Sequence, residues 1–62
     1  MIKHSINYDI FVMIDIEGST DEQIRSAALD KLDLIKSFLK NEGYHIGEII
    51  VEGESFGYNE NP

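Results

Sequence analysis

The fold is decided over residues 6–23, INYDIFVMIDIEGSTDEQ, where one hydrophobic period gives way to another. Every even position from Ile6 to Ile16 is apolar. This period of two, rich in β-branched and aromatic residues, predicts a strand over about residues 6–17 with its even-numbered face buried. From Ser19 onward the period becomes helical, so the stretch predicts a strand, a turn at Gly18 and a helix.

The helix is predicted over about residues 20–42. Two overlapping residue pairs have the spacing of a capping box, in which side chains satisfy free N–H groups of the first turn: Ser19 with Glu22, and Thr20 with Gln23. Apolar residues then recur at three- and four-residue intervals, which predicts one apolar stripe along the helix. Gly43 stands where a helix commonly ends in a left-handed residue.

A second strand is predicted over about residues 44–52, YHIGEIIVE. Ile49 and Val51 are assigned to its buried face, because the opposite choice would bury Glu48 and Glu52. Three interpretations are possible for residues 53–62, GESFGYNENP: a short third strand, an arm that docks on a neighbour, or a flexible tail.

Together these elements predict an α/β fold, a single βαβ unit within one domain over residues 1–62. A long crossover through a helix suits parallel strands with a right-handed connection. Two strands under one helix leave sheet edges and one sheet face uncovered. We therefore expect homodimerisation to complete the sheet.

Composition limits the classes of function. The chain has 62 residues, no cysteine and a formal net charge of −7. Without cysteine there is neither a disulfide framework nor a thiolate zinc site. The negative charge argues against direct contact with nucleic acid or an anionic membrane. No signal peptide, membrane-spanning run or cofactor motif is recognisable, so a cytoplasmic protein without cofactors is expected.

One candidate surface lies on the sheet face that the helix leaves open. An apolar centre with a charged rim is the usual anatomy of a protein interface. We interpret this surface as either the homodimer interface or the binding site for a basic protein. Its candidate residues are Asp9, Phe11, Met13, Asp15, Glu17, Glu48, Ile50 and Glu52.

Two other features have both a structural and a functional interpretation. In a parallel βαβ unit the acids around Gly18 would approach Glu52 and Glu54, where carboxylates could bind Mg²⁺ or Ca²⁺. These acids are Asp15, Glu17, Asp21 and Glu22. No known metal-binding spacing is present, and solvated acids are the simpler interpretation. Lys31 falls inside the apolar stripe, where a desolvated amine could act as a base or nucleophile. Its methylenes more commonly cover a core while the amine reaches solvent.

The order of elements, with IEGSTDEQ at residues 16–23 and FGYN at residues 56–59, resembles the 4-oxalocrotonate tautomerase family. That resemblance implies a βαβ topology, a short C-terminal hairpin and an oligomer. The family's chemistry uses an N-terminal proline as general base, whereas the only proline here is Pro62 and the only arginine is Arg25. We therefore extend the resemblance to topology and not to activity.

The sequence thus favours a small acidic, non-enzymatic protein-binding or regulatory module. A phage-type inhibitor or a nucleic-acid mimic, in which carboxylates stand in for phosphates, would be its specific forms. The alternatives are a small oligomeric enzyme with tautomerase-like topology and a divalent-cation-binding domain. The expected partners are a second copy of the chain and a basic protein.

Overall fold

The computed structural model describes residues 1–62, with one helix followed by two strands. Helix α1 spans Asp21–Asn41, strand β1 spans Ile49–Gly53 and strand β2 spans Phe56–Glu60. The fold is therefore mixed α/β, as expected, but the order within the chain is αββ rather than βαβ. Helix α1, with 21 residues, is not apolar enough to cross a membrane.

The start of α1 follows the second of the two predicted capping boxes. Thr20 is the N-cap, and its hydroxyl accepts a hydrogen bond from the Gln23 backbone N–H at 3.2 Å. In return, the Gln23 side chain accepts the Ser19 N–H at 2.8 Å. A Cβ atom added at Gly18 would lie 3.0 Å from the Ile24 side chain, so a larger residue here would press against Ile24.

The end of α1 is a Schellman motif. The Tyr44 N–H donates to the Leu39 carbonyl at 3.0 Å, and the Gly43 N–H donates to the Lys40 carbonyl at 3.1 Å. Gly43 has a φ of +93°, in the left-handed region where a side chain is strained. The predicted helix and its glycine stop are both confirmed.

The two strands form an antiparallel hairpin. Ile49 pairs with Glu60 and Gly53 with Phe56, which leaves a two-residue turn, Glu54–Ser55. Ser55 adopts a φ of +59° in this turn. Of the three possibilities for residues 53–62, the structure contains the short extra strand, and the strand predicted over residues 44–52 begins only at Ile49.

Residues 6–17 were expected to form a buried strand, and this expectation is not confirmed. The first seventeen residues belong to no helix or strand, and every hydrogen bond of the chain lies from Ser19 onward. The physical reason is that a strand needs a neighbour with free N–H and C=O groups. Strand β1, the expected neighbour, pairs with β2 along one edge, and no hydrogen bond joins its other edge to residues 6–17.

None of the 62 residues is buried, so the chain by itself has no hydrophobic core. Its accessible surface is 5965 Å². A compact chain of 7.1 kDa would expose about 4,100 Å². About 1,900 Å² more surface is therefore in contact with solvent than size alone requires.

Candidate protein-binding surface

The helix presents two apolar sides, of which only one is partly covered. Its half-buried positions recur at helical spacing, as in Ala28, Leu32 and Leu39. The neighbouring side is open to solvent: Leu34 is 65% exposed and Phe38 is 63% exposed. A wide apolar stripe of which half is solvated is unusual for a completed fold, and it marks a face available to another molecule.

The hairpin contacts the first of these sides at Lys36. Ile49, Val51 and Tyr58 are half-buried on one face of the hairpin, as predicted for the first two, while Ile50 on the other face is 58% exposed. Glu60 continues the half-buried face and contacts the helix through Lys36.

That contact forms a small polar cluster of Lys36, Tyr58 and Glu60. The Lys36 amine lies 2.9 Å from both carboxylate oxygens of Glu60, and the Tyr58 hydroxyl donates to the same carboxylate at 3.0 Å. The Lys36 and Glu60 side chains are 21% and 37% exposed. The cluster therefore connects the end of β2 to the C-terminal half of α1.

The cluster's electrostatics favour the charged pair. The hydrogen bond with Glu60 raises the pKa of Lys36, and the hydrogen bond from Lys36, followed by that from Tyr58, lowers the pKa of Glu60. The pKa of Tyr58 is raised by its hydrogen bond to Glu60. A base or nucleophile needs a lysine with a lowered pKa, so these shifts suit a structural ion pair rather than catalysis.

The sequence patterns did not predict this cluster, because Glu60 lies in residues 53–62, for which three possibilities remained. The available signal was that Lys36 occupies an apolar-stripe position four residues after Leu32. A charge in that position requires either exposure or a partner.

The segment before the helix runs back along the helix. Residues 12–14 line an open recess of about 280 Å³ with Lys31, Leu34 and Ile35. Residues 6–10 line a second recess, about 500 Å³, with Leu39 and residues 44–48. Lys31 is thus the charged member of an otherwise apolar lining.

The two faces of this segment differ in exposure. The even positions Ile10, Val12 and Ile14 are 59–69% exposed, whereas Phe11 and Met13 are 87% and 82% exposed. Burial of the even face is therefore wrong for the single chain. The difference nevertheless has the predicted direction, because the even side chains are the more shielded ones.

The predicted sheet face is divided between two parts of the chain. Phe11 and Met13 belong to the unpaired segment, whereas Ile50 belongs to β1, and no hydrogen bond joins the two parts. The acids of the proposed rim are all exposed: Asp9, Asp15, Glu17, Glu48 and Glu52. Nowhere do three or more potential metal ligands come together, and this includes the acids around Gly18.

The ligand class must be inferred from the chemistry of these residues. They combine large exposed apolar side chains with carboxylates, on a chain whose formal net charge is −7. An apolar centre supplies affinity, and surrounding charge selects the sign of the partner. Comparisons with protein-family models, with curated proteins and with solved structures find no match to this chain.

Proposed function

We propose that this chain is a small acidic, non-enzymatic protein-binding module that completes its hydrophobic core by association. The observation that carries the proposal is the absence of any buried residue together with an accessible surface of 5965 Å². Burying the excess of about 1,900 Å² on each of two chains would give an interface of about 3,800 Å². Interfaces of that size are typical of obligate assemblies.

The first associating partner in this proposal is a second copy of the chain. A homodimer would provide the neighbouring strand that residues 6–17 lack, and it would cover the open side of the helix at Leu34 and Phe38. In the dimer the predicted strand would become part of a larger sheet. The βαβ arrangement inferred from sequence belongs to this proposed assembled form.

The second partner is a basic protein bound by the outer surface. Asp9, Asp15 and Glu17 flank two highly exposed apolar side chains, Phe11 and Met13. Carboxylates in this arrangement attract a cationic surface and speed the encounter, while the apolar centre holds the complex. A regulatory inhibitor that occupies a nucleic-acid-binding cleft is the form of this function that the charge supports best.

The test is capture of basic proteins from a host lysate by the immobilised chain, followed by binding measurements with each purified partner. The surface variant is Asp9→Asn/Asp15→Asn/Glu17→Gln. Its matched control, Asp30→Asn/Asp33→Asn/Glu42→Gln, removes the same charge from outside the proposed surface. Both sets of positions are exposed.

We expect the surface variant to lose affinity and the control to keep most of it. Raising the salt from about 0.05 M to about 0.5 M should weaken the wild-type complex steeply, because screening shortens the reach of exposed charges. A duplex DNA competitor should displace the chain from a target whose nucleic-acid cleft it occupies. Equal loss in both variants, or a complex insensitive to salt, would contradict the proposed surface.

A further inference from the structure

We infer that residues 6–16 of two copies pair as antiparallel strands in one specific register, with the two-fold axis at Phe11. The inference rests on the self-association proposed above and adds its geometry. The backbone N–H and C=O groups of this segment have no partner within the chain. Strand addition is the arrangement that satisfies a row of such groups at once.

The apolar pattern is symmetric about Phe11. Residues directly opposite each other in an antiparallel pair lie on the same face of the sheet. An axis at Phe11 places all six even-numbered apolar side chains opposite one another: Ile6 with Ile16, Tyr8 with Ile14, and Ile10 with Val12. With an axis between two residues, even residues of one strand would lie opposite odd residues of the other. Each face of the sheet would then mix apolar and acidic side chains.

The acids exclude several other registers. With the axis at Phe11, Asp9 lies opposite Met13 and Asp15 lies opposite Asn7. Moving the axis to Val12 places Asp9 opposite Asp15, and like charges directly opposite each other are destabilising. An axis at Asp9 places that residue opposite its own copy.

One neighbouring register also avoids an acid pair. With the axis at Ile10, Asp15 lies opposite Ser5 and no two acids meet. That register sets Ile16 opposite His4, so one end of the apolar face pairs with a polar residue. The axis at Phe11 is favoured because it alone keeps the apolar set complete.

This pairing assembles the binding surface that a single chain lacks. Residues 12–14 lie beside the chain's own helix, and Ile10, Val12 and Ile14 are less exposed than Phe11 and Met13, so in this proposal the paired segments form a ribbon over two helices with the even side chains toward them. Its outer face would then carry Phe11 and Met13 of both copies. Asp9, Asp15 and Glu17 of both copies would surround them, forming one continuous acid-rimmed apolar patch.

Disulfide formation in the full-length chain tests the register, since no native cysteine interferes. Opposite residues have Cα atoms about 4.5–5.5 Å apart, within disulfide range. Asn7→Cys and Asp15→Cys are placed on separate chains, mixed and oxidised. Both positions are exposed, so neither substitution removes a core side chain.

We expect the disulfide-linked dimer to form at least about tenfold faster in the mixture than in either variant alone. In a dimer of one variant, the two identical cysteines at position 7 or 15 would lie about 27 Å apart. Pairing Asn7→Cys with Met13→Cys serves as the control for the register centred on Ile10. Faster linkage in that control overturns the axis at Phe11. Light scattering on the unmodified chain should give twice 7.1 kDa.

The outcomes separate this inference from the proposed function. A monomer by light scattering that forms no cross-link at micromolar concentration overturns the pairing, even if the chain still captures a basic protein. A dimer without the cross-link between positions 7 and 15 overturns the register and leaves self-association standing. A dimer with this cross-link that captures no other protein supports the pairing and contradicts the role in binding a basic partner.

Discussion

Replacing Leu34 with alanine distinguishes a helix face that is covered in an assembly from one that stays in solvent. A fully buried leucine side chain contributes about 1.5–3 kcal/mol relative to an exposed one. Because Leu34 is 65% exposed in the single chain, roughly two thirds of that, about 1–2 kcal/mol per chain, would be gained only on association. A symmetric dimer contains the side chain twice, so Leu34→Ala should weaken dimerisation by about 2–4 kcal/mol, or about 30- to 700-fold in Kd.

The assay is sedimentation equilibrium over a range of protein concentrations, with Asp30→Ala as the matched control at another exposed helix position. Alanine is the best helix former, so neither substitution weakens the helix itself. We expect the control to change Kd little. If Leu34→Ala leaves Kd within about threefold of the control, which is less than 1 kcal/mol, the open side of the helix is not part of the interface and the reasoning fails.

Three further substitutions test the elements of the single chain. Gly43→Ala should destabilise the folded chain by about 1–2 kcal/mol, because alanine is strained at the left-handed φ of +93°. An added Cβ meets no atom within 4 Å, so backbone strain is the whole cause. Thermal unfolding at fixed protein concentration measures the loss, with Gly47→Ala as the unstrained control. Thr20→Ala should cost about 1 kcal/mol through loss of the helix cap, seen in urea unfolding, and an unchanged midpoint would contradict the cap. Glu60, whose pKa is lowered first by Lys36, should contribute stability above its ordinary pKa of 4.5 that is lost as pH falls through the lower folded value. Glu60→Gln should lower the melting temperature near neutral pH and flatten its acid dependence, and an acid profile identical to wild type would refute this role.

The helix could be predicted from the sequence almost to the residue, because its signals are local. The Thr20 hydroxyl accepts the Gln23 N–H, the Gln23 side chain accepts the Ser19 N–H, and Gly43 adopts a conformation that few other residues tolerate. The capping hydrogen bonds at the two ends join residues at most five positions apart in the chain. A local pattern is therefore sufficient to identify both helix ends.

The hairpin was harder to predict because its signals are mixed. The turn contains Ser55 at positive φ, where glycine or asparagine is the usual marker. The inward face of β2 ends in Glu60, which reads as polar until its ion pair with Lys36 is known. That interaction spans 24 residues of sequence, so no local period could predict it.

The candidate surface has a clear sequence pattern, but the single chain does not contain the strand that this pattern predicts. The period of two over residues 6–17 predicted a buried even face, and in the single chain Ile10, Val12 and Ile14 are only less exposed than Phe11 and Met13. It did not identify the strand that pairs with this segment, since alternation describes a face and not its neighbour. Phe11, Met13 and the acids of the proposed rim therefore remain a prediction for the assembled protein.

The absence of buried residues has a consequence for the amount of working protein in a cell. If the core forms only between chains, folding is a second-order process, and the folded fraction depends on total concentration. Newly made chains at low abundance would stay open to proteolysis for longer than chains made in quantity. The level of active protein would then rise more steeply than the rate of synthesis. Activity would begin only above a threshold concentration of the chain, and no separate regulator would be needed.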